Sequence, residues 1–174
     1  MNNNTFVHKY IKSLITKNDI TIDMTLGRGL DSELLCKLSK KVYSFDISDE
    51  AISISKNRLK DFNNIEIIKD NHININKYIK EKVKLIIFNL GYLPYSNKTS
   101  ITNKDDTLLA FKNAYNLLEN NGYIIITFYI GHLGGKDEYY LLDKYINENK
   151  VNIIEKYHQD KIDSPITYII KKKP

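Results

Sequence analysis

Ile20-Thr21-Ile22-Asp23-Met24-Thr25-Leu26-Gly27-Arg28-Gly29-Leu30-Asp31-Ser32 is a short β-branched run that breaks at two glycines and passes into a segment able to start a helix. Asp31 or Ser32 can cap that helix, which reaches about Lys40 with Leu34, Leu35 and Leu38 on one face. Val42-Tyr43-Ser44-Phe45 then reads as the next strand and stops at Asp46. Strand, glycine turn, helix and strand make one βαβ unit, and the rest of the chain repeats its rhythm.

Ser48 caps a helix over 49–61, with Ile52, Leu59 and Phe62 at helical spacing. Ile65-Glu66-Ile67-Ile68 is a third strand, followed by Asp70-Asn71-His72 and a weaker helix to Lys80. The unbroken apolar run Lys84-Leu85-Ile86-Ile87-Phe88 suits a strand buried on both faces. Beyond the loop 89–103, a helix carries Leu108, Leu109, Phe111, Ala114, Tyr115, Leu117 and Leu118. Asn120-Asn121-Gly122 is expected to end it as a glycine C-cap. Residues 123–129 form the fifth strand and 136–148 a helix. The runs 151–157 and 166–170 have no helix between them, so they should pair as an antiparallel hairpin. The layout is α/β: a seven-stranded, doubly wound, mainly parallel sheet in one domain over 1–174, with ligands expected at the carboxyl ends of the strands.

Composition sets the outer limits. The chain has 174 residues, 42% hydrophobic and 27% charged, enough for a packed core. No stretch approaches the ~18 apolar residues of a spanning helix, and Met1-Asn2-Asn3-Asn4 lacks the pattern of a signal peptide, so the expected location is cytoplasmic. The single cysteine, Cys36, excludes an internal disulfide framework and a cysteine-rich zinc site, and no metal is expected. The net charge of +5 includes Lys171-Lys172-Lys173, a tail suited to nucleic acid or to plain solvation. There are only seven glycines, against an average usage of about 7%, so each has a reason to be sought.

Six of the seven fall at strand ends. Gly27 and Gly29 allow a tight turn with free N–H groups from the next helix, but Ser32 stands where a dinucleotide fingerprint needs its third glycine. Acids beside that turn disfavour a pyrophosphate and suit a cation, which argues against a dinucleotide oxidoreductase. Asp46 can accept hydrogen bonds from vicinal ribose hydroxyls, and with the glycine turn it points to an adenosine-type ligand. Asp70 could meet an adenine amino group. Asn89-Leu90-Gly91-Tyr92-Leu93-Pro94 offers amide and carbonyl acceptors around an amino group, with a ring beside it. Gly131-His132-Leu133-Gly134-Gly135 can lie flat against a ligand, and His132 is a candidate acid or base.

Taken together, Asp23-x-Thr25-x-Gly27-x-Gly29-x-Asp31, Phe45-Asp46-Ile47, Phe88 to Pro94 and Tyr129-x-Gly131-His132-x-Gly134-Gly135-Lys136 resemble the class I, S-adenosylmethionine-dependent rRNA methylase family. The resemblance runs from about Val7 to Lys171. It implies a Rossmann-like methyltransferase fold and, by its better-defined members, conversion of 5-aminomethyl-2-thiouridine to 5-methylaminomethyl-2-thiouridine at the wobble position of tRNA. Gly27, Gly29 and Asp31 would then hold the methionine end of S-adenosylmethionine, Asp46 its ribose, and Asp70 and His72 its adenine, with Thr25 and Ser48 in the same pocket. Asn89, Tyr92 and His132 would be catalytic, and Leu90, Gly91, Pro94, Gly134 and Lys136 would meet the substrate. Arg28 and Ser48 depart from the family pattern, where polar amides are expected.

The implied partner is the tRNA anticodon stem-loop, held by lysines such as Lys98, Lys104, Lys136 and Lys171 to Lys173; a homodimer is compatible with the sequence, which does not fix oligomeric state. The competing readings are the same cofactor with an rRNA base, a protein amide or a small amine as acceptor, and an adenosine- or RNA-binding module without turnover.

Overall fold

A computed structural model of the chain describes residues 1–90 and 104–174. The strands are β1 (Ile20–Asp23), β2 (Lys41–Asp46), β3 (Ile65–Lys69), β4 (Val83–Leu90), β5 (Leu118–Phe128), β6 (Ile153–His158) and β7 (Ile166–Lys171). They form one sheet in the order β3-β2-β1-β4-β5-β7-β6. The first five are parallel, while β7 inserts antiparallel between β5 and β6. The expected doubly wound sheet with a C-terminal hairpin is therefore what the chain forms.

Helices α1 (Asn3–Leu14), α2 (Leu30–Leu38) and α3 (Asp49–Arg58) cover one face; α4 (Ile75–Tyr78), α5 (Lys104–Leu117) and α6 (Gly135–Glu148) cover the other. Strand side chains divide between them with period two. Ile86, Phe88, Ile124 and Ile126 pack under α4 to α6, whereas Leu85, Ile87 and Ile125 pack under α1 to α3. Both faces are buried, which explains why β4 reads as a continuous apolar run. No helix among the described residues is long and apolar enough to cross a membrane.

Four local expectations are corrected. The N-cap of α2 is Gly29, at φ +79°, and not Asp31 or Ser32; Ser32 turns inward to a buried carboxylate instead. An added Cβ on Gly29 would also lie 3.1 Å from Ser55 Cβ, so this glycine serves both the turn and the approach of α3. Helix α5 ends at Leu117, and Leu118 already pairs with Val83 in the sheet. Gly122 is thus within β5, and the left-handed residue is its neighbour Asn121, at φ +61°. The weak helix after Asp70 is a 3-10 turn, His72–Asn74, running into the single-turn α4, and α3 stops three residues early at Arg58.

Helix α1 has no counterpart among the sequence-based expectations. Asn2 caps it, its carboxamide oxygen accepting from Thr5 N at 2.8 Å. Phe6, Val7 and Ile11 are its buried face, and the Phe6 ring stacks on Tyr157 of β6 with centroids 4.2 Å apart. Without these distant partners an Asn-rich start is a poor helix former, so α1 exists through its packing.

Candidate functional site

The sheet order reverses where β1 lies between β2 and β4, and a cavity of about 650 Å³ opens at the carboxyl ends of those strands. That is the crevice in which doubly wound sheets bind ligands, and the volume lies within the ~300–1,000 Å³ of small-molecule sites. Its walls come from the loops after β1, β2, β3, β4 and β5 and from the loop between β6 and β7, together with the start of α1.

Beneath the β1 loop lies Asp23, fully buried. It accepts from Ser32 Oγ at 2.6 Å and from Thr25 N at 3.0 Å, tying the strand end to the first turn of α2. Burial and then the nearby Asp31 charge push its carboxyl up to about 7. Above it, Gly27 lines the cavity at φ +51°, and a Cβ there would find nothing nearer than Thr25 O at 3.9 Å, so a ligand can approach the backbone closely.

Asp46 joins two of the loops. Its Oδ2 accepts from Gly27 N and its Oδ1 from Ser48 N, both at 2.9 Å. Each oxygen retains a lone pair, so the carboxylate has capacity for further donors while its own position is fixed. Ser48 Oγ is committed as the N-cap of α3, accepting from Ala51 N at 3.2 Å. Ile47 and Ile54, both exposed large hydrophobics, form an apolar ledge beside Asp46.

Across the cavity Asp70 accepts from Asn71 N, Asn74 Nδ2 and Tyr78 Oη. The Tyr78 and Asn74 bonds hold its carboxyl below the usual range. His72 donates from Nδ1 to Met24 O at 2.8 Å, which assigns the tautomer, and burial lowers its pKa, keeping the ring neutral. Its Nε2 is then a buried acceptor with no hydrogen-bond partner among the described residues. Such an atom costs about 1–3 kcal/mol if left unpaired, which favours a ligand donor there.

The β4 end supplies Asn89. Its backbone N–H donates to Thr25 Oγ1 at 2.9 Å, and its Nδ2 donates to Asp31 Oδ2 at 3.0 Å, which turns the amide oxygen away from Asp31. Asp31 Oδ1 bonds His8 Nε2 of α1 at 2.8 Å. His8, Asp31 and Asn89 thus form one chain, from the N-terminal helix to the sheet.

The structure therefore gathers Thr25, Gly27, Asp31, Asp46, Ser48, Asp70, His72, Asn89 and Leu90 around one cavity. Gly29 lies behind it, against α3. His132, Gly134 and Lys136 are not among its lining residues; Gly134 caps α6, and Lys136 pairs with Asp163 at 3.3 Å. Gly91, Tyr92 and Pro94 lie outside the described residues, as does Lys98. Sequence reasoning missed Asn2, Asn3, Asn4 and His8 as cavity residues. Tyr129, of the glycine-rich stretch that follows β5, and Gln159 and Pro165, of the loop between β6 and β7, line the cavity as well.

The β5 loop positions Tyr129 through a close approach. A Cβ on Gly135 would lie 2.3 Å from Tyr129 O and 3.2 Å from Ile130 Cα. Gly135→Ala is expected to cost about 1–3 kcal/mol, lowering Tm by roughly 3–10 °C. A thermal melt checks this, and an unchanged Tm would mean that the loop gives way freely.

Comparison with known proteins adds relatives to this geometry. The family model described as "Putative rRNA methylase" matches residues 42–171. The chain is 33% identical over 147 residues to the chloroplastic tRNA (mnm(5)s(2)U34)-methyltransferase of Arabidopsis thaliana, covering 75% of this chain and 54% of that protein. It is 40% identical over 93 residues to the ribosomal RNA small subunit methyltransferase H of Clostridium botulinum, covering 49% of this chain and 30% of the relative. The chain thus spans about half or less of these curated relatives. Among solved structures, a "putative methyltransferase" of Streptococcus mutans in complex with SAH superposes with a TM-score of 0.89 at 32% identity, covering 99% of this chain and 98% of that one.

Proposed function

The chain belongs to the family described as "Putative rRNA methylase", and on that premise we propose that it is an S-adenosylmethionine-dependent RNA methyltransferase that methylates the amine of 5-aminomethyl-2-thiouridine at the wobble position of tRNA. The observation that carries the reading is the Asn89 amide, oriented by Asp31 in the same cavity that holds Asp46 and His72 Nε2, which has no partner among the described residues. The residues present fit the cofactor. Asp46 keeps acceptor capacity for two ribose hydroxyls, His72 Nε2 can accept from an adenine amino group, and Ile47 and Ile54 offer the base an apolar ledge. Gly27 leaves room for the methionine part, and Asp31, which lines the same cavity, would be the carboxylate available to its ammonium. When bound, S-adenosylmethionine supplies a methyl group on a positively charged sulfur.

The protein's own part is alignment and proton handling. In-line displacement needs the acceptor nitrogen neutral and held within about 3–3.5 Å of its target. The Asn89 amide oxygen accepts from the amine and directs its lone pair. One proton must leave the nitrogen for each methyl gained. Asp31, a carboxylate bonded to Asn89 on one oxygen and held by His8 on the other, is the acceptor placed to take it.

The choice of acceptor rests on the chloroplast relative, whose name, tRNA (mnm(5)s(2)U34)-methyltransferase, carries the methylated wobble nucleoside that this reaction yields. The anticodon stem-loop is accordingly the part of the tRNA that docks. A second reading, an rRNA base as acceptor, is favoured by the family description and by the shorter ribosomal RNA relative. Nucleoside mass spectrometry of tRNA and rRNA from a deletion strain separates them. Accumulated 5-aminomethyl-2-thiouridine, cleared by adding protein and S-adenosylmethionine, is the expected result. An unchanged wobble profile with a methyl lost from rRNA would establish the second reading instead.

A further inference from the structure

The first 18 residues contain Lys9, Lys12, Lys17 and His8 and no acid; Asp19 is the first carboxylate in the chain. The fold turns this bias into a surface. Phe6, Val7 and Ile11 face the core, so His8, Lys9, Lys12 and Ser13 lie on the outer side of α1, where with Met1 and Thr5 they line an open groove of about 600 Å³. Neither Lys9 nor Lys12 meets a carboxylate at ion-pair distance among the described residues. His8 lines both this groove and the cavity that holds Asn89. The groove therefore joins the candidate active site at one residue.

The lysines that the sequence singled out are placed differently. β7 runs antiparallel to β5, so that Lys171 stands opposite Tyr123 while Ile166 stands opposite Phe128. Lys171 is thus about 17 Å along the strand from the end that carries the cavity, at ~3.3 Å per residue. Lys172 turns back, its Nζ donating to Tyr115 O at 3.1 Å and Leu118 O at 2.9 Å. Lys136 is paired with Asp163. The basic tail belongs to the end of the sheet opposite the cavity.

We propose that the acid-free outer face of α1 is the track for the RNA backbone, with Lys9 and Lys12 on phosphates and His8 marking where the target nucleotide turns into the cavity. The inference rests on the RNA-methyltransferase reading. Phosphates are the chemistry that two unpaired lysines one helical turn apart recognise, about 5–6 Å between their Cβ atoms. An extruded nucleotide needs its flanking backbone held beside the pocket mouth, which is where this groove lies.

The test compares the intact protein with K9E/K12E, K9Q/K12Q and, at the opposite end of the sheet, K171E/K173E, using fluorescence anisotropy with an anticodon stem-loop RNA over a range of salt. S-adenosylhomocysteine binding by calorimetry is the control for a folded site. K9E/K12E is expected to weaken RNA binding by about tenfold or more. K9Q/K12Q should flatten the slope of log K against log salt by about 1.4–1.8, with cofactor binding unchanged. Wild-type RNA affinity and slope in both α1 variants would overturn the proposal, as would a loss confined to K171E/K173E. If the wild-type protein binds S-adenosylhomocysteine but no RNA at any salt, the RNA reading fails with it. A poly-glutamate peptide displacing RNA at equal affinity would reassign the groove to an acidic protein.

Discussion

Asn89→Ala is expected to slow methyl transfer by about 10²- to 10³-fold while leaving S-adenosylhomocysteine affinity within a few fold. The side chain makes one described bond, Nδ2 to Asp31 Oδ2, and the backbone N–H bond to Thr25 Oγ1 survives the change. Asp31 keeps His8, so the glycine loop stays in place. What is lost is the oriented amide oxygen. Misplacing a reacting atom by about 1 Å costs on the order of 10²-fold, and removing a preorganised polar contact about 10²–10³. Single-turnover rates with saturating cofactor, set beside calorimetric binding, make the measurement. A variant that turns over at the wild-type rate would remove Asn89 from the mechanism. Equal losses in rate and cofactor affinity would move it into the cofactor pocket.

Asp46→Ala should do the opposite, weakening S-adenosylhomocysteine binding by about 100-fold or more and sparing the rate at saturation. Two effects add. Hydrogen bonds from ligand hydroxyls to a carboxylate are worth about 1.5–3 kcal/mol each, against 1.4 kcal/mol per tenfold in affinity. The same carboxylate holds Gly27 N and Ser48 N, so its removal also lets the β1 and β2 loops part. Asp46→Asn retains one carbonyl oxygen, hence one backbone partner, and should fall between. Affinity within a few fold of wild type in Asp46→Ala would show that the ribose is held elsewhere.

Much of this site was legible because its signals are local. Asp46 and Asn89 follow directly on an apolar run, Gly27, Asp70 and His72 lie within a few residues of one, and a polar residue at a strand end reads as cavity-facing once the sheet is known to be parallel. Signals that look local but depend on packing misled. Asn120-Asn121-Gly122 has the composition of a helix end, yet Leu118 is already paired in the sheet, and Asn121 takes the left-handed turn. Asp31 and Ser32 have the chemistry of caps, but buried Asp23 claims Ser32, and Asn89 and His8 claim Asp31. Gly134 and His132 form a glycine-rich strand end like the others, but β5 directs only Tyr129 into the cavity.

Period, caps and breakers act over a few residues, so the alternation of strands and helices, the hairpin at the end and the loops that carry polar groups can be read along the chain. Only packing makes β7 lie antiparallel against β5, which sends the lysine tail to the end of the sheet opposite the cavity. Packing also decided that an Asn-rich start becomes α1. A helix of weak propensity forms there because Phe6, Val7 and Ile11 find a core in residues far along the chain, and that packing sets His8 on Asp31, 23 positions away.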